Sequence, residues 1–402
     1  MQIGKQTPFE LSYCSNVHAG ESWQAVFTNL VNYVLPLKAR LAPNQPFGIG
    51  LRLSNQAASE LLSGTLLADF NNWLAEHRLY ILTVNGFVYG HFHGQPVKAE
   101  VYAPDWSNAE RKDYSRKLLK IIAALTPSGG NCGFSSAPIS YRPWLDTPND
   151  DVWHKASEHL AELVAEMVTI YQTENKLLHI DLEPEPDCLL TNTSDIIAFF
   201  HGYLLPLGIP HLVERLQISE AQAKSHLLRH VQICYDICHL AVEFEDPATV
   251  FARLAAAEIQ IGKLQISTAL KVSIPPTPLQ RMQLQQALGR FADSTYLHQV
   301  VARYPDGQLQ RYPDLPPALT ELLTTQAEEW RIHFHLPIFI ERCPFFHTTQ
   351  ADLATALALL QQNGATHCLE IETYTWDVLP AELKVPLVES LAREYQWVIQ
   401  QF

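Results

Sequence analysis

The sequence predicts an α/β protein and, within that class, a closed (β/α)8 barrel. Short apolar runs alternate with longer stretches whose apolar residues fall three and four apart, and the alternation recurs about eight times. Strand–helix alternation implies a parallel sheet, and that many repeats imply a sheet closed on itself, with a doubly wound open sheet as the alternative. Bulk agrees: 402 residues, 47% hydrophobic and 17% charged, supply a large core and too little charge for a disordered chain.

In chain order, the strand-like runs are residues 11–14, 48–53, 80–84, 132–135, 177–182, 231–235, 263–266, 331–339 and 368–373. Helical periodicity fills most of the gaps, as at 23–41, 57–76, 151–172, 195–205 and 353–362. These nine runs are one more than a barrel needs, and one of the last three lies outside it. Residues 91–105 are too long for a simple connection and are expected to line one end of the barrel. About 273–328 reads as an insertion, with a helix over 278–291 and a hairpin turning at Pro305-Asp306-Gly307. With no repeat, low-complexity tract or Gly/Ser linker, residues 1–402 read as a single domain carrying that insertion.

Charge and termini narrow the function classes. The 28 basic against 42 acidic residues give a net charge of −14, which disfavours a nucleic-acid partner while leaving room for a local basic patch on a small phosphate. Residues 1–10 are mixed and polar, unlike a secretory signal. The most apolar stretch, 196–213, contains His201, Pro206, Pro210 and His211 and reads as an amphipathic helix followed by a loop, not a membrane span. Seven scattered cysteines suggest reduced thiols in a cytoplasmic protein, and the Cys234/Cys238 pair lacks the second pair of a structural zinc set.

Working residues of a barrel sit at the carboxyl ends of strands and just beyond them. His179, Asp181, Glu183 and Glu185 share one parity of their run, and Pro184 ends the strand with Glu183 at the rim. A Pro-rich acidic turn in solvent is the bland alternative. Asp236 ends the next run and His239 follows three residues later, a carboxylate–imidazole spacing suited to Mn, Zn, Co or Fe more than to Mg. Asp236 would otherwise only cap the following helix. Gln265 with Ser267, His333 with His335, and Glu370 with Glu372 form further same-face pairs. Burying that many carboxylates is costly unless a cation or paired donors offset them, and a metal is the simplest such cation. Earlier strand ends bring Asn16, His18, Arg52, Asn85, His91 and His93, types suited to hydroxyls or phosphate. The chain has no G-x-S-x-G, phosphate-binding or H-E-x-x-H motif.

Glu183 in LEPEP, followed by the strand-end D-x-x-H of Asp236 and His239, resembles the xylose-isomerase-like TIM-barrel isomerases and epimerases. The resemblance implies one divalent metal held by Glu, Asp, His and a final Glu. Glu183 and Asp236 match the first two, and Glu372 or Glu370 the last. At the third position this chain has Gln265, leaving the role to Gln265, His335 or His333. LSYCSNVHAGESW, PFGIGLRLS, HFHLPIF and LEIETYTWDVLP together resemble the metabolite-traffic protein EboE family. That resemblance implies an association with secondary-metabolite precursor traffic and partner proteins of the same operon.

Two readings of function follow. In the first, a metal-dependent isomerase or epimerase works on a small hydroxy-carbonyl metabolite. The metal is held by Glu183, Asp236, Gln265, His335 and Glu372. Glu183 and Glu372 exchange the proton, His239 orients substrate oxygen, and His18, Arg52, Asn85, His91, His93, His333 and Trp376 bind the rest. In the second, a non-catalytic carrier reuses the barrel, its aromatic rim (Tyr13, Trp23, Phe87, Tyr89, Phe92, Phe334, Tyr374, Trp376) holding an aromatic or isoprenoid precursor. A phosphodiester-cleaving enzyme is a distant third, set against by the acidic charge.

Overall fold

The computed structural model describes residues 1–4, 8–145 and 150–402. Eight parallel strands form the centre: β1 (Phe9–Tyr13), β2 (Phe47–Arg52), β3 (Leu79–Asn85), β4 (Asn131–Ser136), β5 (Leu177–Leu182), β6 (Val231–Asp236), β7 (Ile261–Ile266) and β8 (Cys368–Ile371). They pair in sequence order, β8 returns to β1 in parallel register, and a Cys14–Gly50 bridge joins the end of β1 to β2, closing the ring. Gln2–Ile3 adds a short antiparallel strand outside β1.

Side-chain alternation sorts the barrel into two environments. Outward positions such as Leu178, Ile180, Leu182, Ile233, Leu264, Ile266, Leu369 and Ile371 are buried against the helices in one large apolar core. Inward positions are mostly polar, a departure from the branched aliphatic filling usual in such barrels. Helices begin where a Ser, Asn or Asp side chain accepts an orphan amide: Ser22, Ser54, Asn108, Asn192 and Asp246 all do so, and Ser219 forms a full capping box with Gln222.

The helix at Thr193–Leu216 corrects the sequence reading, because it continues to Leu216 without a loop. It passes through one wide turn, Phe200–Leu204, so Pro206 falls at a fresh helical start where its missing N–H costs little, and only Pro210 lies inside the last segment. By length and composition alone it is long and apolar enough to cross a membrane; Ile196, Phe199, Phe200, Leu204 and Leu212 are buried against the body of the protein.

A second, antiparallel sheet grows from the carboxyl end of β7. Its order is Leu309–Tyr312, Val300–Arg303, Glu329–Ile332, Leu270–Ser273, His347–Thr348. Trp330, Ile332, Val300 and Val272 pack there with Leu284, Leu288 and Leu315 in a separate apolar cluster. The ninth strand-like run, 331–339, is thereby placed: Glu329–Ile332 pairs within this sheet, residues 333–337 run on as a strap outside any ladder, and a turn follows at Ile338-Phe339. Leu336 N–H donates to the Thr268 carbonyl at 3.2 Å, tying the strap to the end of β7.

Candidate metal centre

The polar interior changes character along the barrel axis. Low in the barrel, His179 Nδ1 lies 2.6 Å from Asp181 Oδ1, and Lys263 Nζ donates to Glu370 at 2.6 Å and to Ser135 Oγ at 3.2 Å. Burial alone would pull the Lys263 ammonium down, but Glu370 beside it holds it well above the ordinary lysine value. Glu370 is therefore a carboxylate with its own cation, and the rim position falls to Glu372.

At the rim, Glu183, Asp236 and Glu372 converge, each offering an oxygen within 4.8 Å of the others. Asp236, His239 and His335 converge in the same way, so the two sets share Asp236. Asp236 Oδ2 lies 3.8 Å from His239 Nε2 and 3.9 Å from His335 Nε2. The capping alternative is also realised: Asp236 Oδ1 accepts from the His239 amide at 3.2 Å and from Ser267 Oγ at 2.6 Å, which leaves Oδ2 free.

Backbone carbonyls set the imidazoles. His239 Nδ1 is 2.8 Å from the Pro184 oxygen and His335 Nδ1 is 2.9 Å from the Glu372 oxygen. A carbonyl accepts only, so each Nδ1 carries the proton and each Nε2 presents a lone pair, the tautomer metal-binding histidines adopt. Three of the facing atoms, Glu183 Oε2, Asp236 Oδ2 and His335 Nε2, are buried without any hydrogen-bond partner. Such orphans are rare in a folded interior and mark a strained, catalytic or ion-holding place. Burial and then the charge of Glu372 push the Glu183 carboxyl well above its usual range, and burial likewise raises Glu372. Burial lowers His239 to about 3, keeping it neutral. The donor set therefore fits a divalent cation.

Gln265 takes a different part from the ligand role expected of it. Its Nε2 donates to Glu183 Oε1 at 3.1 Å and also to Glu372, while its Oε1 faces the Cys234 thiol at 2.6 Å. An amide N–H cannot ligate, so Gln265 in this arrangement holds the two carboxylates together. Asn16, just beyond the neighbouring strand β1, at 2.7 Å and Asn85, at the end of β3, at 3.2 Å donate to the Glu372 Oε1.

The carboxylates floor a cavity whose polar lining also includes Asn16, Asn85, Glu185, His239 and His333. Its walls are Phe87, Val88, Phe92, Val101, Tyr102, Tyr296, Leu297 and Tyr374, with a volume of about 50 Å³, room for an ion and a small ligand head. Val97, Lys98, Val101 and Tyr102 also line it, as expected of the 91–105 segment.

The other expected binding residues lie elsewhere. His18 stacks on Tyr33 and meets Tyr13 Oη at 2.9 Å, in the outer core. Arg52 spends its guanidinium on Glu21 at 2.8 Å and on the Gly20 and Gly90 carbonyls, locking two loops. His93 lies behind the wall, 2.7 Å from Tyr296 Oη and 2.6 Å from the Asn16 oxygen. His91 is exposed, and Trp376 is half-buried under Lys384, away from the cavity. Sequence reasoning also passed over close neighbours of the cavity: Tyr102 donates to Glu185 at 2.8 Å, Gln299 meets His333 Nδ1 at 2.8 Å, and Tyr296 closes one wall. Tyr296 and Gln299 come from the second sheet's approach, where only the alternation of YLHQVV hinted at an inward face.

No family model and no curated protein matches the chain. Among solved structures, it resembles a xylose isomerase-like TIM barrel protein from Mycobacterium smegmatis in complex with magnesium, with a TM-score of 0.50 and 11% identity over 98% of this chain and 96% of that one. A D-tagatose 3-epimerase-like protein gives 0.48 at 11% identity, covering 98% of each chain. The IOLI protein with a binding zinc atom gives 0.47 at 10% identity, covering 98% of this chain and 99% of its own. At such identities the likeness is one of fold, the (β/α)8 TIM barrel of this chain.

Proposed function

We propose that this protein holds a divalent metal at Glu183, Asp236, His335 and Glu372 and acts as an isomerase or epimerase on a small hydroxy-carbonyl metabolite. The observation that carries the reading is the set of three buried, unpartnered ligating atoms, Glu183 Oε2, Asp236 Oδ2 and His335 Nε2, on side chains that meet around Asp236. Imidazole nitrogen beside carboxylate oxygen suits Mn, Zn, Co or Fe better than Mg. A bound divalent ion supplies charge that polarises a carbonyl and its neighbouring hydroxyl and so acidifies the C–H between them.

The chain's own groups do the rest. Glu183 and Glu372, both on the floor of the cavity, are the carboxylates suited to pass a proton to and from the substrate. Gln265, Asn16 and Asn85 hold those carboxylates in place. His239, neutral and facing the cavity, orients a substrate oxygen. The motifs that resemble those of the metabolite-traffic protein EboE family support a role in secondary-metabolite precursor handling beside partner proteins of the same operon, and the scattered cysteines support a cytoplasmic setting. A carrier without turnover is the second reading, favoured by the apolar walls over the site.

Elemental analysis tests the first reading. About one equivalent of Mn, Zn, Fe or Co in the purified protein, lost in a Glu183→Gln/Asp236→Asn variant, is expected. Absence of metal even after dialysis against Mn and Zn sinks it and leaves the carrier in front.

A further inference from the structure

The cavity above the carboxylates is divided sharply between a polar floor and walls whose side-chain hydrogen-bond donors are all spent within the protein. Four wall residues carry polar atoms, and the protein already occupies each of them. Tyr102 Oη donates to Glu185 at 2.8 Å and accepts from Gln299 at 3.0 Å. Tyr296 Oη pairs with His93 Nδ1 at 2.7 Å, and Tyr374 Oη with His333 Nε2 at 3.3 Å. Lys98 Nζ gives its three protons to the Asp293 carbonyl at 3.2 Å, the Tyr296 carbonyl at 2.6 Å and the Asp314 carboxylate at 2.6 Å. The remaining wall, including Val101 and Leu297, is hydrocarbon.

A polyhydroxylated body leaving water for these walls would find no donor for its oxygens and only tyrosine lone pairs for its hydrogens, a loss on the order of tenfold in affinity for each stranded hydroxyl. A hydrocarbon body gains from the same transfer. We infer that the substrate is a hydroxy-ketone or hydroxy-aldehyde whose oxygens are confined to one end, with a hydrocarbon body against Val101 and Leu297, and is not a free sugar. This rests on the metal reading of the floor. The walls are also fixed in place, since the Val97 and Lys98 amides both donate to the Thr295 carbonyl, at 2.8 and 3.0 Å, so the preference is built in before a ligand arrives.

The test uses two four-carbon ketones with one skeleton, 1-hydroxy-2-butanone and L-erythrulose, titrated calorimetrically into Mn-loaded full-length protein whose Mn content is measured on the same sample. The expected result is at least tenfold tighter binding of 1-hydroxy-2-butanone, with the ratio reduced several-fold in Leu297→Asn while Mn content is unchanged. Equal or tighter binding of L-erythrulose, or no binding of either to protein that retains Mn, overturns the inference and leaves the metal reading standing. Protein that holds no Mn fails the metal reading instead. Should Leu297→Asn not fold, the wild-type ratio decides alone.

Discussion

Lys263 has no exposed side-chain surface, and neither has Glu370, its partner at 2.6 Å. Removing one member of such a pair strands the other charge, whereas removing both trades an ion pair for apolar packing. Lys263→Met should therefore cost about 3–5 kcal/mol in denaturant unfolding, and the double change Lys263→Met/Glu370→Leu should recover most of that loss. Neighbouring glycines make the room: a Cβ at Gly50 would lie 1.8 Å from Glu370 Oε1, and one at Gly262 2.0 Å from Asp181 Oδ1. A second buried acid, Glu394, is raised by burial to about 7, with Thr373 Oγ1 donating to it at 2.6 Å. A carboxyl raised on folding binds more protons folded than unfolded, so its contribution is full below the ordinary glutamate value and is lost as pH rises toward 7. At roughly 1.4 kcal/mol per pH unit, Glu394→Gln should stabilise the protein above pH 7 by up to about 3 kcal/mol and flatten the fall between pH 4.5 and 7. Thermal melts across that range decide it. The sequence put Glu370 and Glu372 on one face and kept either as the ligand. Parity gives the side of a strand and not its depth; depth shows in which side chain is met inside the barrel, and Lys263, two residues before the register partner Gln265, was not legible as the one Glu370 meets.

At the scale of elements, the strap over 333–337 separates what was legible from what was not. His-Phe-His alternates with period two, the pattern of a strand, but the strand ends at Ile332 and period alone does not distinguish a ladder strand from an unpaired strap. The difference matters, because a strap that belongs to no barrel strand carries His335 to Asp236, while Gln265 occupies the strand position where the resemblance implies a histidine. His335→Ala should lower retention of the proposed metal about 10–100-fold without unfolding the barrel, read by elemental analysis after dialysis and by far-ultraviolet circular dichroism. Unchanged retention would remove His335 from the proposed ligand set. Gln265→Ala should loosen the carboxylates and weaken retention less, since it removes a brace and no ligand. The proline-bearing helix makes the same point from the other side: Pro206 and Pro210 signal a break, but a wide turn just before Pro206 absorbs the first.

For the whole molecule, strand–helix alternation was enough to read the barrel, because each barrel strand is a local apolar run that needs no distant information to identify. The second sheet was harder, since its five antiparallel strands come from segments as far apart as Leu270–Ser273 and His347–Thr348, and only the hairpin turn at Gly307 announced it. Whether that sheet is a separate unit is a question of how it is fastened. Arg311, on its outer strand, pairs with the buried Glu243 beside the barrel, and Arg331 reaches the Ala241 carbonyl at 2.7 Å and Asp352 at 3.0 Å. The strap contributes His333 to the cavity on the barrel axis and brings His335 Nε2 to 3.9 Å from Asp236 Oδ2. Contacts that link a buried carboxylate and the proposed metal centre to the second sheet argue that neither part keeps its interior if the other opens. Residues 1–402 are accordingly proposed to unfold as one unit. Hydrogen exchange in low denaturant should give Val300–Arg303 and Val231–Asp236 the same opening free energy. Arg311→Ala, which leaves Glu243 buried without its cation, should lower both together by about 2–3 kcal/mol, less than for a fully buried pair because Arg311 is 40% exposed. A drop confined to Val300–Arg303 would show the sheet to be a domain of its own, and the catalytic reading would then rest on a centre assembled between two independently folding parts.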